Sequence, residues 1–224
     1  MIKKFLRRFL TWLGIGLVFL IAYFVYIFDD ATAVSKGIPI PNYDSIKTAL
    51  VIIDIQEGIT GSISEDKTYI EQSEELISKV NAAVSKAYEA GIPVVYVQQQ
   101  TENRLLNWLD GYHLARGYPG VALDKRLKIV SLFQFTKRKS DAFSSYAFEK
   151  FLNSQKINRL LITGLDIAFC AGRTSKAALH RGYEVVVVED AVISESNELK
   201  EESIQELREL GASTTTVARL QDTF

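Results

Sequence analysis

LLITGLDIAFCAGRTSKAALHRGYEVVVVEDAV (residues 160–192) is the stretch that decides the fold. It opens within RLLITGL (159–165), a short apolar run that reads as a buried strand. Small residues follow, and a helix fits about 168–181, closed by Gly182. EVVVVEDAV (184–192) is rich in valine and gives the next strand. Two buried strands joined through a helix form a parallel crossover unit, because parallel neighbours need a long connection.

The same alternation extends in both directions. TALVIIDI (48–55) reads as the first strand. A helix over about 69–90 follows, with Leu76, Ile77, Val80, Ala83, Val84, Ala87 and Tyr88 on one face. Gly91 ends it, and Pro93 opens the strand PVVYVQ (93–98). A less regular stretch, 100–127, holds Trp108, Tyr112, His113, Tyr118 and Pro119. KIVSLFQFTK (128–137) is the third strand, and a short helix fits about 142–153. After residue 192 come a helix at about 197–210, closed by Gly211, and a weaker sixth strand, STTTVA (213–218). The expected fold class is α/β: a three-layer αβα domain with a six-stranded, mostly parallel sheet, plus one N-terminal transmembrane helix.

That helix is FLTWLGIGLVFLIAYFVYIF (9–28), which carries no charge. At 1.5 Å per residue it spans about 30 Å, the thickness of a bilayer's hydrocarbon core. Trp12, Tyr23 and Tyr26 lie near its ends, where amphipathic rings prefer the membrane interface. Lys3, Lys4, Arg7 and Arg8 precede it, and Asp29 and Asp30 follow. The expectation is a single-pass membrane protein with a cytoplasmic N-terminus and an extracytoplasmic domain. A cleaved signal peptide is the alternative, because Ala31-Thr32-Ala33 resembles a cleavage site; a buried soluble helix is another. The expected division is an anchor at 1–30, a Pro- and Gly-containing linker at 31–47 and a domain at 48–224.

Composition narrows the function. The formal net charge is −1, and four N-terminal cations leave the remaining body more acidic than that. An acidic body without a basic stripe argues against nucleic acid as partner. The single cysteine, Cys170, cannot pair within its own chain, so it is either a small core residue or a chemical tool.

Ligands of open parallel sheets bind beyond the carboxyl ends of the strands. Asp54 closes the first strand, Lys137 closes the third, and Cys170 follows the fourth by a short connection. Alone, each has a bland reading: a helix-capping Asp, a solvated basic turn, a buried small hydrophobe. Together they supply a nucleophile, a base for its proton and a cation for its charge. At the start of a helix, nearby N–H groups and the positive helix end are expected to lower the thiol pKa and to offer an oxyanion hole.

ALVIIDIQEG (49–58), TKRKSDAF (136–143) and residues 160–192 together resemble the isochorismatase-like cysteine hydrolases, the superfamily of nicotinamidases and N-carbamoylsarcosine amidohydrolase. The most specific elements are Gly164-x-x-x-x-x-Cys170 and the Gly182-Tyr-x-Val-x-Val-Val-x-Asp190 strand. The resemblance implies a cysteine hydrolase cleaving a small amide or related C–N bond, with Asp54 as general base, Lys137 as the stabilising cation and Cys170 as a nucleophile forming a thioester. It also implies a cis peptide at Leu165–Asp166, a loop that with the Cys170 N–H binds the oxyanion. The implied partners are a small-molecule substrate, the membrane through residues 9–28, and further copies in a homo-oligomer, since family members are often oligomeric.

Gln98-Gln99-Gln100 stands where nicotinamidases carry a metal-binding D-x-H element, and the chain has two histidines. No metal and no cofactor are therefore expected. Gln56, Trp108, Tyr112 and His113 are candidate substrate contacts; Gln56 is also weighed as a residue that orders the Asp54 loop or as a plain polar turn residue, His113 as a surface loop histidine, and His180 reads as a solvated helix-end residue. Asp141 is expected to compete for Lys137. Asp166 is expected to cap the helix at Cys170 and, as a nearby negative charge, to raise the thiol pKa. Two other functions are weighed: vinyl ether hydrolysis of the isochorismatase type, against which Cys170 argues, and a non-catalytic membrane-tethered binding module of the same fold.

Overall fold

The computed structural model describes residues 2–109 and 111–224; Met1 of the expected 1–30 segment lies outside them. The chain divides into two compact units, meeting at Ala33 and Val34 in sequence. The first is one helix, α1 (Ile2–Thr32). It is long and apolar enough to cross a membrane, a test that an N-terminal signal sequence also passes.

The second unit is a six-stranded parallel sheet with helices on both faces. Its strands are β1 (Thr48–Ile53), β2 (Val94–Gln99), β3 (Gln134–Lys137), β4 (Arg159–Gly164), β5 (Glu184–Val192) and β6 (Ser213–Thr215), in the order β3-β2-β1-β4-β5-β6. The helices are α2 (Lys67–Glu89), α3 (Arg104–Leu109), α4 (Tyr146–Ser154), α5 (Cys170–His180) and α6 (Asn197–Glu209). Alternate residues of β1 divide between two cores. Ala49, Val51 and Ile53 pack with residues of α4, α5 and α6, whereas Leu50 and Ile52 pack with Leu76, Ile77, Val80 and Val84 of α2. Burial on both faces is why the central strands read as unbroken apolar runs.

The order places the crevice. From β1 the chain steps outward through β2 to β3, then returns to lay β4 against the other side of β1. The connections leaving β1 and β4 therefore diverge at their carboxyl ends, where such sheets bind ligands.

Several elements differ from expectation. The third strand is confined to Gln134–Lys137. Residues 128–131 are held by side chains instead of a ladder: the Tyr96 hydroxyl donates to the Lys128 carbonyl (2.8 Å) and accepts from Val130 N (3.1 Å), and Ser131 Oγ donates to the Val94 carbonyl. β6 is likewise three residues long, because Asp190 Oδ1 captures the N–H of Val217 at 2.7 Å. Tyr88, assigned above to the buried face of α2, is exposed. The irregular stretch contains α3, whose first turn is capped by Asn103 Oδ1 accepting from Leu105 N and Leu106 N.

Of the expected linker, the part from Val34 to Ile40 lies against the domain. Val34 and Ile40 pack on its core. Ser35 donates through N and Oγ to Asp141 (2.8 and 2.9 Å), and the buried Arg181 donates to the Ser35 carbonyl at 2.9 Å.

Gly164 ends β4 with φ +102°, and a Cβ there would strike the Ile53 carbonyl oxygen. Only glycine adopts that conformation without strain and permits so close an approach to β1. Gly164→Ala is expected to lower stability by about 1–3 kcal/mol. A denaturant midpoint unchanged from wild type contradicts this.

Candidate active site

Asp54 follows β1 in the left-handed region, at φ 57°. Its N–H donates to the Val97 carbonyl at 2.9 Å, turning the residue across the end of β2. Its Oδ2 lies 2.9 Å from Lys137 Nζ, and both side chains are almost wholly buried. Lys137 Nζ also donates to Gln99 Oε1 at 2.5 Å and to Cys170 Sγ at 3.3 Å. The structure thus brings together all three residues that the strand-end argument selected.

Burial is the largest single influence on the titration of each group. It pushes the Asp54 carboxyl above its ordinary value, although Lys137 pulls against it. Burial alone would pull Lys137 down, but the Asp54 charge and then Cys170 outweigh it, and the ammonium is held above its usual range. Burial pushes the Cys170 thiol up to about 12, with Lys137 opposing and Asp54 reinforcing the rise. The lowered thiol pKa expected from the helix terminus is therefore corrected: desolvation exceeds the help of the helix end and Lys137. These shifts favour a protonated sulfur, beside an ammonium and a carboxyl group 2.9 Å apart. Asp54 Oδ1 is buried and has no hydrogen-bond partner among the described residues, so it is free to accept a proton.

The Leu165–Asp166 peptide bond is cis. In this loop most N–H groups are committed. Ile167 N donates to the Ile193 carbonyl, Ala168 N to Asp166 Oδ1, and Phe169 N and Ala171 N to the Asp166 carbonyl. Among the described residues, no hydrogen bond is formed by the N–H of Asp166 or of Cys170. These two donors, at the mouth of the loop, can receive an oxyanion. The Thr174 hydroxyl donates to the Cys170 carbonyl (2.7 Å) and accepts from Ala142 N (3.0 Å), tying the first turn of α5 to the segment after Lys137.

The two acidic neighbours do not act as expected. The Asp166 carboxylate accepts from Tyr69 OH (2.9 Å), Ser194 Oγ (2.8 Å), Ala168 N (2.6 Å) and Glu195 N (3.2 Å). It fastens the loop before α5 to α2 and to the segment after β5, and it is not among the groups that shift Cys170. Asp141 is engaged with Ser35 rather than with Lys137.

Gln56, weighed both as a substrate contact and as a residue ordering the Asp54 loop, is fully buried. Its amide donates to the Gln99 and Val121 carbonyls (3.0 and 2.9 Å) and accepts from Gln99 N at 2.7 Å. Its role is to fix the end of β2, and so to aim Gln99 at Lys137. Gln99 itself was not identified as part of the site. Its signal was the strand order: β2 lies between β1 and β3, so a polar side chain at its end stands between Asp54 and Lys137. Trp108 and His113 line a cavity of about 600 Å³ with Tyr69, the residue bonded to Asp166. Tyr112 is stacked on Tyr118 at 5.8 Å. No hydrogen bond joins Trp108, Tyr112 or His113 to Asp54, Lys137 or Cys170 among the described residues.

A resting thiol has a measurable consequence. Alkylation of Cys170 by neutral iodoacetamide is expected to accelerate about tenfold per pH unit from pH 7 to 10, without a plateau. A plateau below pH 8 indicates a resting thiolate and contradicts the assignment.

Comparison with known proteins identifies the family of the domain. The family model described as the isochorismatase domain matches residues 48–219. The secreted isochorismatase effector Isc1 of Verticillium dahliae is 24% identical over 156 residues, covering 70% of this chain and 77% of that protein. The ureidoacrylate amidohydrolase RutB of Pseudomonas syringae pv. syringae is 25% identical over 171 residues, covering 65% and 70%. The crystal structure of an isochorismatase family protein from Desulfovibrio vulgaris superposes with a TM-score of 0.71 at 23% identity, covering 80% of this chain and 98% of that one. With most of the second unit matched by the family model and by a solved fold, this chain belongs to the isochorismatase family of hydrolases.

Proposed function

We propose that this protein is a cysteine-dependent hydrolase that cleaves a small amide or related C–N bond through a thioester acyl-enzyme. The observation that carries the reading is the Lys137 ammonium, 2.9 Å from Asp54 Oδ2 and 3.3 Å from Cys170 Sγ.

As Cys170 Sγ attacks the substrate carbonyl carbon, Asp54 takes the thiol proton. Before the transfer the cluster holds a carboxylate, an ammonium and a thiol. After it, the cluster holds a carboxylic acid, an ammonium and a thiolate. Net charge is zero in both states, so no uncompensated charge is created in a desolvated site. The carbonyl oxygen gains negative charge beneath the N–H groups of Asp166 and Cys170. Collapse of the tetrahedral species breaks the C–N bond, and Asp54 delivers its proton to the departing nitrogen. Water then attacks the thioester carbon and loses a proton to Asp54. The C–S bond breaks, the acid leaves, and the proton returns to sulfur.

The amidohydrolase named among the relatives supports C–N cleavage. The relative named an isochorismatase supports vinyl ether hydrolysis instead. A thiol in direct contact with a buried ammonium favours acyl transfer, since vinyl ether hydrolysis requires no nucleophilic sulfur.

Asp54→Asn and Cys170→Ala are each expected to reduce kcat/KM on a panel of small amides by at least about a thousandfold. Turnover retained in Cys170→Ala, or release of pyruvate from isochorismate by that variant, overturns the nucleophile assignment.

A further inference from the structure

α5 carries a second committed side chain one turn beyond the nucleophile. Arg173 lies three residues after Cys170, so the two share a face of the helix. Helical side chains lean toward the helix N-terminus, and Arg173 follows that lean. Its guanidinium carbon sits 5.4 Å from the centroid of the Phe169 ring, and Nη1 donates to Ser140 Oγ at 3.1 Å. Phe169 immediately precedes the nucleophile. Ser140 lies three residues past Lys137, and the carbonyl of the intervening Lys139 is 3.4 Å from Lys137 Nζ. The guanidinium therefore bridges the two segments that deliver the sulfur and its cation. Phe169 is 38% exposed and Arg173 is partly exposed, so solvent reaches this pair, whereas Lys137 is buried.

The charge of Arg173 is not used by the triad, which is neutral without it. Nor is it matched by a carboxylate among the described residues. The neighbouring Arg138 is paired with Glu102 at 3.1 Å, and Arg181, on the residue that follows α5, is paired with Glu149 at 2.7 Å. Arg173 keeps most of its five N–H donors for something else. Stacking on Phe169 holds the planar group in one orientation, and a planar guanidinium matches a carboxylate with two parallel hydrogen bonds. Phe169, on which the guanidinium stacks, is the N-cap of α5, and the positive end of the helix favours the same sign of ligand.

We propose that Arg173 is a specificity-determining residue that binds a carboxylate on the substrate. The preferred substrate class is then amides that carry a carboxylate a few atoms from the scissile carbonyl. This inference rests on the reading of Cys170 as the nucleophile.

Two small probes of nearly identical shape test it on the full chain in mild detergent. Iodoacetate and iodoacetamide both alkylate sulfur, forming an S–CH2 bond and expelling iodide, but only the first bears a carboxylate. Both draw on the same thiolate, so the ratio of their rates cancels the protonation of Cys170. At low ionic strength, the iodoacetate-to-iodoacetamide ratio at Cys170 is expected to exceed that of glutathione by about tenfold or more. Arg173→Gln is expected to lower the ratio by a similar factor, and Arg173→Lys to retain part of the preference. Lys47→Gln makes the same change of charge at the amino end of β1, away from the carboxyl ends that carry the site, and is expected to leave the ratio as in wild type. A ratio equal to that of glutathione in wild type, or one unmoved by Arg173→Gln, overturns the role of Arg173 while leaving the nucleophile standing. Failure of both reagents to modify Cys170 overturns the nucleophile reading and this inference with it.

Discussion

The Lys137 ammonium has no solvent exposure, and much of the domain is organised to make that position tolerable. An isolated buried ammonium costs far more than a domain's net stability, so it must be paired and hydrogen-bonded where it lies. Asp54 supplies the opposite charge, Gln99 a neutral oxygen, and Cys170 a soft acceptor. Each comes from a different strand end or connection, so the pairing requires that the ends of β1, β2 and β3 and the start of α5 converge. Gln56 fixes the end of β2, Asp166 fixes the loop before α5, and Thr174 fixes the first turn of α5.

The same desolvation underlies the proposed chemistry. In water, a carboxylate is a poor base for a thiol. In the closed cluster, burial raises the Asp54 carboxyl, and the ammonium stabilises whichever neighbour carries the negative charge. In the proposed mechanism the thiol stays protonated until a substrate carbonyl arrives, and transfer then moves charge between two groups that already face the same cation. Such a site forms its nucleophile on demand instead of storing a thiolate.

Much of this was legible in the sequence because it depends on local pattern. The valine-rich runs, their glycine and proline boundaries and the spacing from Gly164 to Cys170 report the parallel sheet and the three strand-end residues directly. Contacts between distant segments were less legible. Asp166 looked like a hazard to the thiol because it is close in sequence; its carboxylate is instead taken by Tyr69, Ser194 and Glu195, residues up to 97 positions away. Gln99 was passed over because its importance follows from strand order. The run at 128–133 has strand-like composition, but a tyrosine hydroxyl and a serine hydroxyl claim the groups a ladder would use. For the thiol pKa the sequence offered a helix end that lowers it and Asp166 that raises it; the dominant cause, burial, was missed because residue type and helix position are visible in sequence, while the depth of burial is not.

The central claim is that Cys170 becomes covalently acylated through its sulfur. Mixing the full chain with p-nitrophenyl acetate, quenching in acid and mapping peptides by mass spectrometry tests this most directly. The account predicts one acetyl group on the peptide containing Cys170, removed by neutral hydroxylamine and absent from Cys170→Ser at the same quench time. Release of p-nitrophenolate with no acetyl on Cys170, or with a stable acetyl on another residue in its place, contradicts it.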